Sequence, residues 1–157
     1  GVEDSVVSTV GLLSGVAISG FSRGTIFLTG IVLIFVEAFS MAVGSFLSER
    51  SAEDYMNQRE IPSRRSLVSG GIMFASYFVA GFIPLAPYLF AEPASALWYS
   101  VSASLAALFL LGAAGAKISN KKTLKGALRM LIVGGAAITM GIVVGSVVQS
   151  AQSLGKP

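Results

Sequence analysis

At 157 residues, 54% hydrophobic and only 12% charged, with a mean hydropathy of +0.77, the chain lies far from the composition of a soluble domain, in which about 25% of residues are charged. It reads as an all-α integral membrane protein, a single membrane domain over 1–157 with no room for a separate soluble domain. The net charge of +3 comes with no basic stripe and no interleaved aromatics, so it points away from nucleic acid and toward loop charges that set topology.

Neither cysteine nor histidine occurs. Disulfides and thiolate centres are excluded, and no nucleophile, base and orienting partner can be assembled, which argues against an enzyme. A transition-metal site in such a chain draws on carboxylate, thioether, hydroxyl, carbonyl or water donors, a set suited to Fe(II), Mn(II), Mg(II) or Ca(II) rather than to structural zinc. No tightly bound cofactor is expected.

The chain opens at Gly1 rather than at methionine, as the membrane part of something longer would, and its acidic start does not match a signal peptide. The first apolar run predicts a span over 5–21, barely long enough to cross about 30 Å of hydrocarbon. Glu3 and Asp4, adjacent acids at its mouth, invite a cation. Arg23 and Gly24 mark a turn, and a second span is predicted over 25–48.

The second span holds the most informative stretch. Residues four apart share a helix face at about 6 Å of axial rise, so Glu37, Met41, Ser45 and Glu49 form one stripe, with Ser40, Gly44 and Ser48 beside it. A carboxylate near the middle of a membrane helix costs roughly 3 kcal/mol on insertion scales, so Glu37 is expected to face a partner or a wet pathway. Taken alone, Met41 reads as core packing, and Glu37 has a structural alternative as a hydrogen bond between helices.

A polar connection, 49–65, follows. Were the second helix to continue outward, Glu49, Glu53, Met56 and Glu60 would share a face. Such a charge run reads either as a solvated helix end with its acids paired to Arg50 and Arg59, or as a shallow cation-collecting surface. The third span, 66–90, contains Tyr77, Pro84 and Pro87, and the prolines predict a kink. Trp98 and Tyr99 anchor a fourth span at the interface, over 96–116. Lys117, Lys121, Lys122, Lys125 and Arg129 crowd the next connection, before a fifth span over 124–148. Gly11–Gly15 and Gly141–Gly145 are both GxxxG spacings that allow close helix contact, a weak signal among 18 glycines. Lysine and arginine gather in the second and fourth connections, which places those connections and the amino terminus in the cytoplasm.

Several of these motifs together resemble the vacuolar iron transporter family. They are Asp4 with Ser8-Thr9-Val10-Gly11-Leu12-Leu13-Ser14-Gly15; Ser40-Met41-Ala42-Val43-Gly44 with Ser48, Ser51 and Asp54; Ile83-Pro84-Leu85-Ala86-Pro87-Tyr88; and Ala127 to Gly135. The resemblance implies five transmembrane helices in a homodimer, exchanging protons for Fe(II) or Mn(II) along a pathway at the subunit interface, in a bacterial inner membrane or a vacuolar-type membrane. By motif it assigns Asp4 and Met41 to that pathway. Glu37 joins them from its spacing to Met41, one turn away.

Three departures accompany the likeness. Ser5 replaces the usual glycine after Asp4, and Ser45 stands where many relatives carry an acid. Eukaryotic relatives also insert a carboxylate-rich metal-binding domain where this chain has only 49–65. The expected metal set is therefore Asp4, Glu37 and Met41, with Glu3, Glu49 and Glu53 at the entrance, and an arriving divalent ion displaces protons held there. The alternative is a non-transporting membrane anchor or scaffold module of a larger protein.

Overall fold

The structure, a computed structural model, describes residues 1–57, 64–120 and 122–154. Six helices make up the fold: α1 (Val2–Ile18), α2 (Arg23–Asn57), α3 (Arg64–Leu85), α4 (Pro87–Phe90), α5 (Pro93–Ile118) and α6 (Thr123–Leu154). Among the described residues there is no strand. Four of these helices, α2, α3, α5 and α6, are long and apolar enough to cross a membrane. α1, at 17 residues, is shorter, about 25 Å at 1.5 Å per residue.

The boundaries depart from the sequence expectation where local chemistry acts. α1 begins at Val2 and not at residue 5, with Glu3 and Asp4 in its first turn, where the helix dipole favours acids. It stops at Ile18 because Gly20 takes a φ of +80°, a left-handed conformation that closes a helix end readily only for glycine. α2 continues nine residues past the expected 48 to Asn57, since Glu49 to Asn57 contains neither glycine nor proline to stop it. The expected third span, 66–90, divides into α3 and α4. Pro84 and Pro87 carry no N–H for the carbonyls of Ala80 and Ile83, and the Ser100 hydroxyl of α5 donates to the Pro84 carbonyl at 2.7 Å.

The long helices alternate in direction, and α1 is the hub of the bundle. It packs against α2, α3, α5 and α6 and buries Ser5, Val6, Thr9, Val10, Gly11, Leu13 and Ser14, residues that lie on more than one face. Its tightest seam is with α6, which runs parallel to it. A Cβ on Gly15 would come within 2.7 Å of the Gly141 carbonyl oxygen, and one on Gly11 within 3.1 Å of the Ala137 carbonyl oxygen. The two GxxxG motifs are therefore each other's partners within the chain, and the Ser19 hydroxyl donates to the Gly145 carbonyl at 3.1 Å. A second glycine crossing joins α5 to α6, where a Cβ on Gly112 would lie 2.6 Å from the Gly126 carbonyl oxygen. This up-and-down course brings the amino terminus, the α2–α3 connection and the α5–α6 connection to one end. Among the described residues, that end carries Arg50, Arg64, Arg65, Lys117, Lys122, Lys125 and Arg129.

Candidate metal site

The polar stripe of α2 faces α3 along its length. Residues recurring every four on α2 meet residues recurring every four on α3 in reverse order, as antiparallel helices require. The Tyr77 hydroxyl donates to Glu37 Oε2, Ser45 Oγ lies 2.9 Å from Ser69 Oγ, and Arg65 Nε donates to Glu49 Oε1 at 2.9 Å. The same register sets Met41, half-buried, level with Met73. The Met73 sulfur itself lies against the start of α1, 2.7 Å from where a Cβ on Gly1 would stand.

Glu37 is bound into a three-helix node. Besides Tyr77 it accepts a hydrogen bond from Ser8 Oγ of α1 at 2.7 Å, and Ser8 Oγ lies 2.7 Å from the Tyr77 hydroxyl. Tyr77 is itself fixed, because the buried Ser5 hydroxyl donates to its backbone carbonyl at 2.6 Å. The sequence raised the structural alternative for Glu37, a bond between helices, and the geometry contains that bond. A carboxylate, a phenol and an alcohol in a closed triangle serve either protonation state. The ionised acid accepts from both hydroxyls; the neutral acid donates to one of them while they bond each other. No buried polar atom of the triangle loses its partner in either case.

The other expected ligands scatter. Asp4 is exposed at the start of α1. Glu3, one residue earlier and about 100° around the helix, faces away from the stripe into a cleft with Lys122, Lys125 and Arg129. Glu49 pairs with Arg65, and Glu53 accepts from the Ser66 hydroxyl at 3.0 Å. Arg50 lies 3.9 Å from Asp54. These contacts dock the end of α2 on the start of α3, and the proposed face reaching Glu60, like the partner Arg59, lies outside the described residues. Among the described residues no three carboxylates gather.

Three contributors escaped the sequence reading: Ser8, Tyr77 and Met73. The signal for the α3 pair was present as Arg65, Ser69, Met73 and Tyr77, a four-residue spacing that mirrors the α2 stripe in opposite order. Met73 also borders a recess of about 250 Å³ beside the start of α1, lined with Gly1, Val2, Ser69, Ile72 and Ser76. This recess opens at the end of the bundle where Asp4 lies.

Comparison with known proteins returns the same family as the motifs. The model of the VIT family matches residues 1–67 and 56–146. Vacuolar iron transporter 2 of Oryza sativa subsp. japonica is 32% identical over 88 residues, covering 55% of this chain. The match spans 36% of that relative's length.

Proposed function

Because the chain belongs to the VIT family, we propose that it carries Fe(II) or Mn(II) out of the cytosol in exchange for protons, as a homodimer of five-span protomers with cytoplasmic amino termini. The observation that carries this reading is Glu37, an ionisable group inside a membrane-length helix, bonded to two hydroxyls and one turn from the Met41 sulfur. Hard carboxylate oxygen supplies charge for a divalent ion, and a soft thioether favours Fe(II) or Mn(II) over Mg(II) and Ca(II).

In this scheme Asp4 attracts the ion at the cytoplasmic mouth, Met41 supplies the soft donor with Met73 at its level, and Glu37 exchanges a proton for the ion. The hydroxyls of Ser8 and Tyr77 keep Glu37 satisfied while the ion is absent. Glu49 and Glu53 are bonded to Arg65 and Ser66 where α2 docks on α3, and Glu3 faces the basic cleft, so the working set contracts to Asp4, Glu37 and Met41. With so few acids per protomer, the remaining donors come from a second copy. The outer face of α2 suits such an approach: Ser40, Gly44 and Ser48 are exposed, and nothing lies within 4 Å of a Cβ built on Gly44.

The test is uptake of Mn(II) into proteoliposomes with and without an imposed pH gradient. Glu37→Gln and Met41→Ala should each reduce uptake, and the gradient should accelerate the wild type only. A second reading rests on the same hydrogen bonds: Glu37 as a clamp between α1, α2 and α3 in a membrane anchor that moves no ion. It predicts unchanged uptake, or none at all, in both proteins, and no metal-dependent proton release by the 157-residue chain.

A further inference from the structure

A cleft of about 820 Å³ opens at the lysine-rich end of the bundle, between the last turns of α5, the first turns of α6 and the start of α1. Among the described residues its charged lining is Lys122, Lys125, Arg129 and one acid, Glu3. Positive residues at the end of a span commonly do no more than set topology. Here three of them converge on one concave space, which topology does not require. The cleft is kept open by small residues. Gly112 and Gly126 let α5 and α6 cross at backbone distance, while Gly115 borders the cleft with nothing within 4 Å of where its Cβ would stand. Exposed apolar side chains flank the basic mouth, Ile118 on α5 and Leu124 and Leu128 on α6.

We infer that this cleft binds the phosphate of an anionic phospholipid head group, with Lys122, Lys125 and Arg129 as the phosphate ligands. A phosphate diester matches the excess of positive charge and is held by Arg129 through paired N–H donors. The apolar flank supports acyl chains where a free phosphorylated solute would leave it in water. Glu3 balances one cation when the cleft is empty, which leaves a net positive lining that attracts the single negative charge of the diester. Basic pockets between membrane helices on the cytoplasmic side bind acidic head groups by this arrangement.

The experiment is native mass spectrometry of the full chain in detergent, titrated with phosphatidylglycerol, with phosphatidylcholine and separately with inorganic phosphate. Wild type should retain phosphatidylglycerol in preference to phosphatidylcholine. Each neutralised cation should weaken retention by about fivefold, so Lys122→Gln, Lys125→Gln and Arg129→Gln together should weaken it roughly a hundredfold. Lys117→Gln, whose side chain does not line the cleft, should change nothing. Gly115→Leu fills the cleft without altering charge and should abolish the preference while leaving the melting temperature in place. Equal retention of the two lipids by the wild type, or unchanged retention in the triple variant or in Gly115→Leu, overturns the assignment. So does displacement of bound lipid by millimolar inorganic phosphate, which would make the site one for a free anion.

Discussion

Gly141→Ala tests the packing scheme most directly. A Cβ at this position would lie on the Gly11 carbonyl oxygen, 2.9 Å from the Gly11 carbonyl carbon and 3.3 Å from the Gly15 backbone nitrogen. All three are backbone atoms of α1, which cannot rotate aside as a side-chain tip can, so α1 and α6 must separate. Overpacking of this kind costs about 1–3 kcal/mol, and a backbone obstacle places it near the upper end. Replacing glycine by alanine inside a helix returns up to about 1 kcal/mol, leaving a net loss of about 2 kcal/mol. Gly135 of the same helix has nothing within 4 Å of its Cβ position, so Gly135→Ala keeps the propensity gain and meets no clash. With about 2–4 °C per kcal/mol for a chain of this size, thermal unfolding in detergent by circular dichroism should show Gly141→Ala roughly 4–8 °C below the wild type. Gly135→Ala should be level with it or slightly above. Equal shifts for the two variants would refute the assignment of the paired GxxxG motifs to a contact between α1 and α6 of the same chain, because that contact is what distinguishes the two glycines.

Further expectations concern the α2–α3 stripe. Tyr77→Phe removes one of the two hydroxyls that Glu37 accepts from and should lower stability by about 1–2 kcal/mol; the same unfolding measurement checks it. Ser45→Ala breaks only the pair with Ser69, an interhelical bond of a kind that averages about 0.6 kcal/mol in membranes, so its melting temperature should move by no more than about 2 °C. Glu49→Gln loosens an ion pair whose Arg65 side chain is 80% exposed, and a double-mutant cycle with Arg65→Gln should return less than about 1 kcal/mol, shrinking further in high salt.

The membrane class and the positions of the helices were legible because apolar runs bounded by charge leave few alternatives. Their ends were harder. The end of α1 turns on one backbone angle at Gly20, and the extension of α2 turns on the absence of a breaker after Ser48, a weaker signal than the fall in hydropathy there. Within the site, the spacing of Glu37, Met41, Ser45 and Glu49 was sufficient to define a face, since one helix fixes its own geometry. Their partners depend on the register between two helices, which no single stretch contains. The mirrored spacing of Arg65, Ser69, Met73 and Tyr77 becomes a signal only when the two helices are laid antiparallel. The glycine motifs posed the same problem over a longer range: each was visible, but their pairing depends on α1 and α6 running parallel across the whole chain. Glu3 and Asp4, neighbours in sequence, were expected to act together; the roughly 100° of helix rotation between them sends Glu3 to the basic cleft and leaves Asp4 exposed at the start of α1.

One helix connects these features, and its position links packing to transport. α1 presents Ser8 to Glu37 at 2.7 Å and Ser5 to the Tyr77 carbonyl at 2.6 Å, while Gly11 and Gly15 lie against α6. Relief of the Gly141→Ala clash requires a shift of about 1.5–2 Å between α1 and α6, since the Cβ falls on the Gly11 carbonyl oxygen and clears a backbone atom only at roughly 3.5–4 Å. If α1 takes up that shift, the Ser8 to Glu37 bond opens beyond the roughly 3 Å limit of a good hydroxyl–carboxylate hydrogen bond. Glu37 then keeps Tyr77 alone, and the triangle that accommodates both protonation states is broken. Gly141→Ala should therefore reduce pH-driven Mn(II) uptake at temperatures well below its unfolding transition, although residue 141 is none of the proposed donors, whereas Gly135→Ala should transport as the wild type does. Normal uptake by a Gly141→Ala protein whose melting temperature has fallen would show that the glycine seam and the Glu37 node move independently.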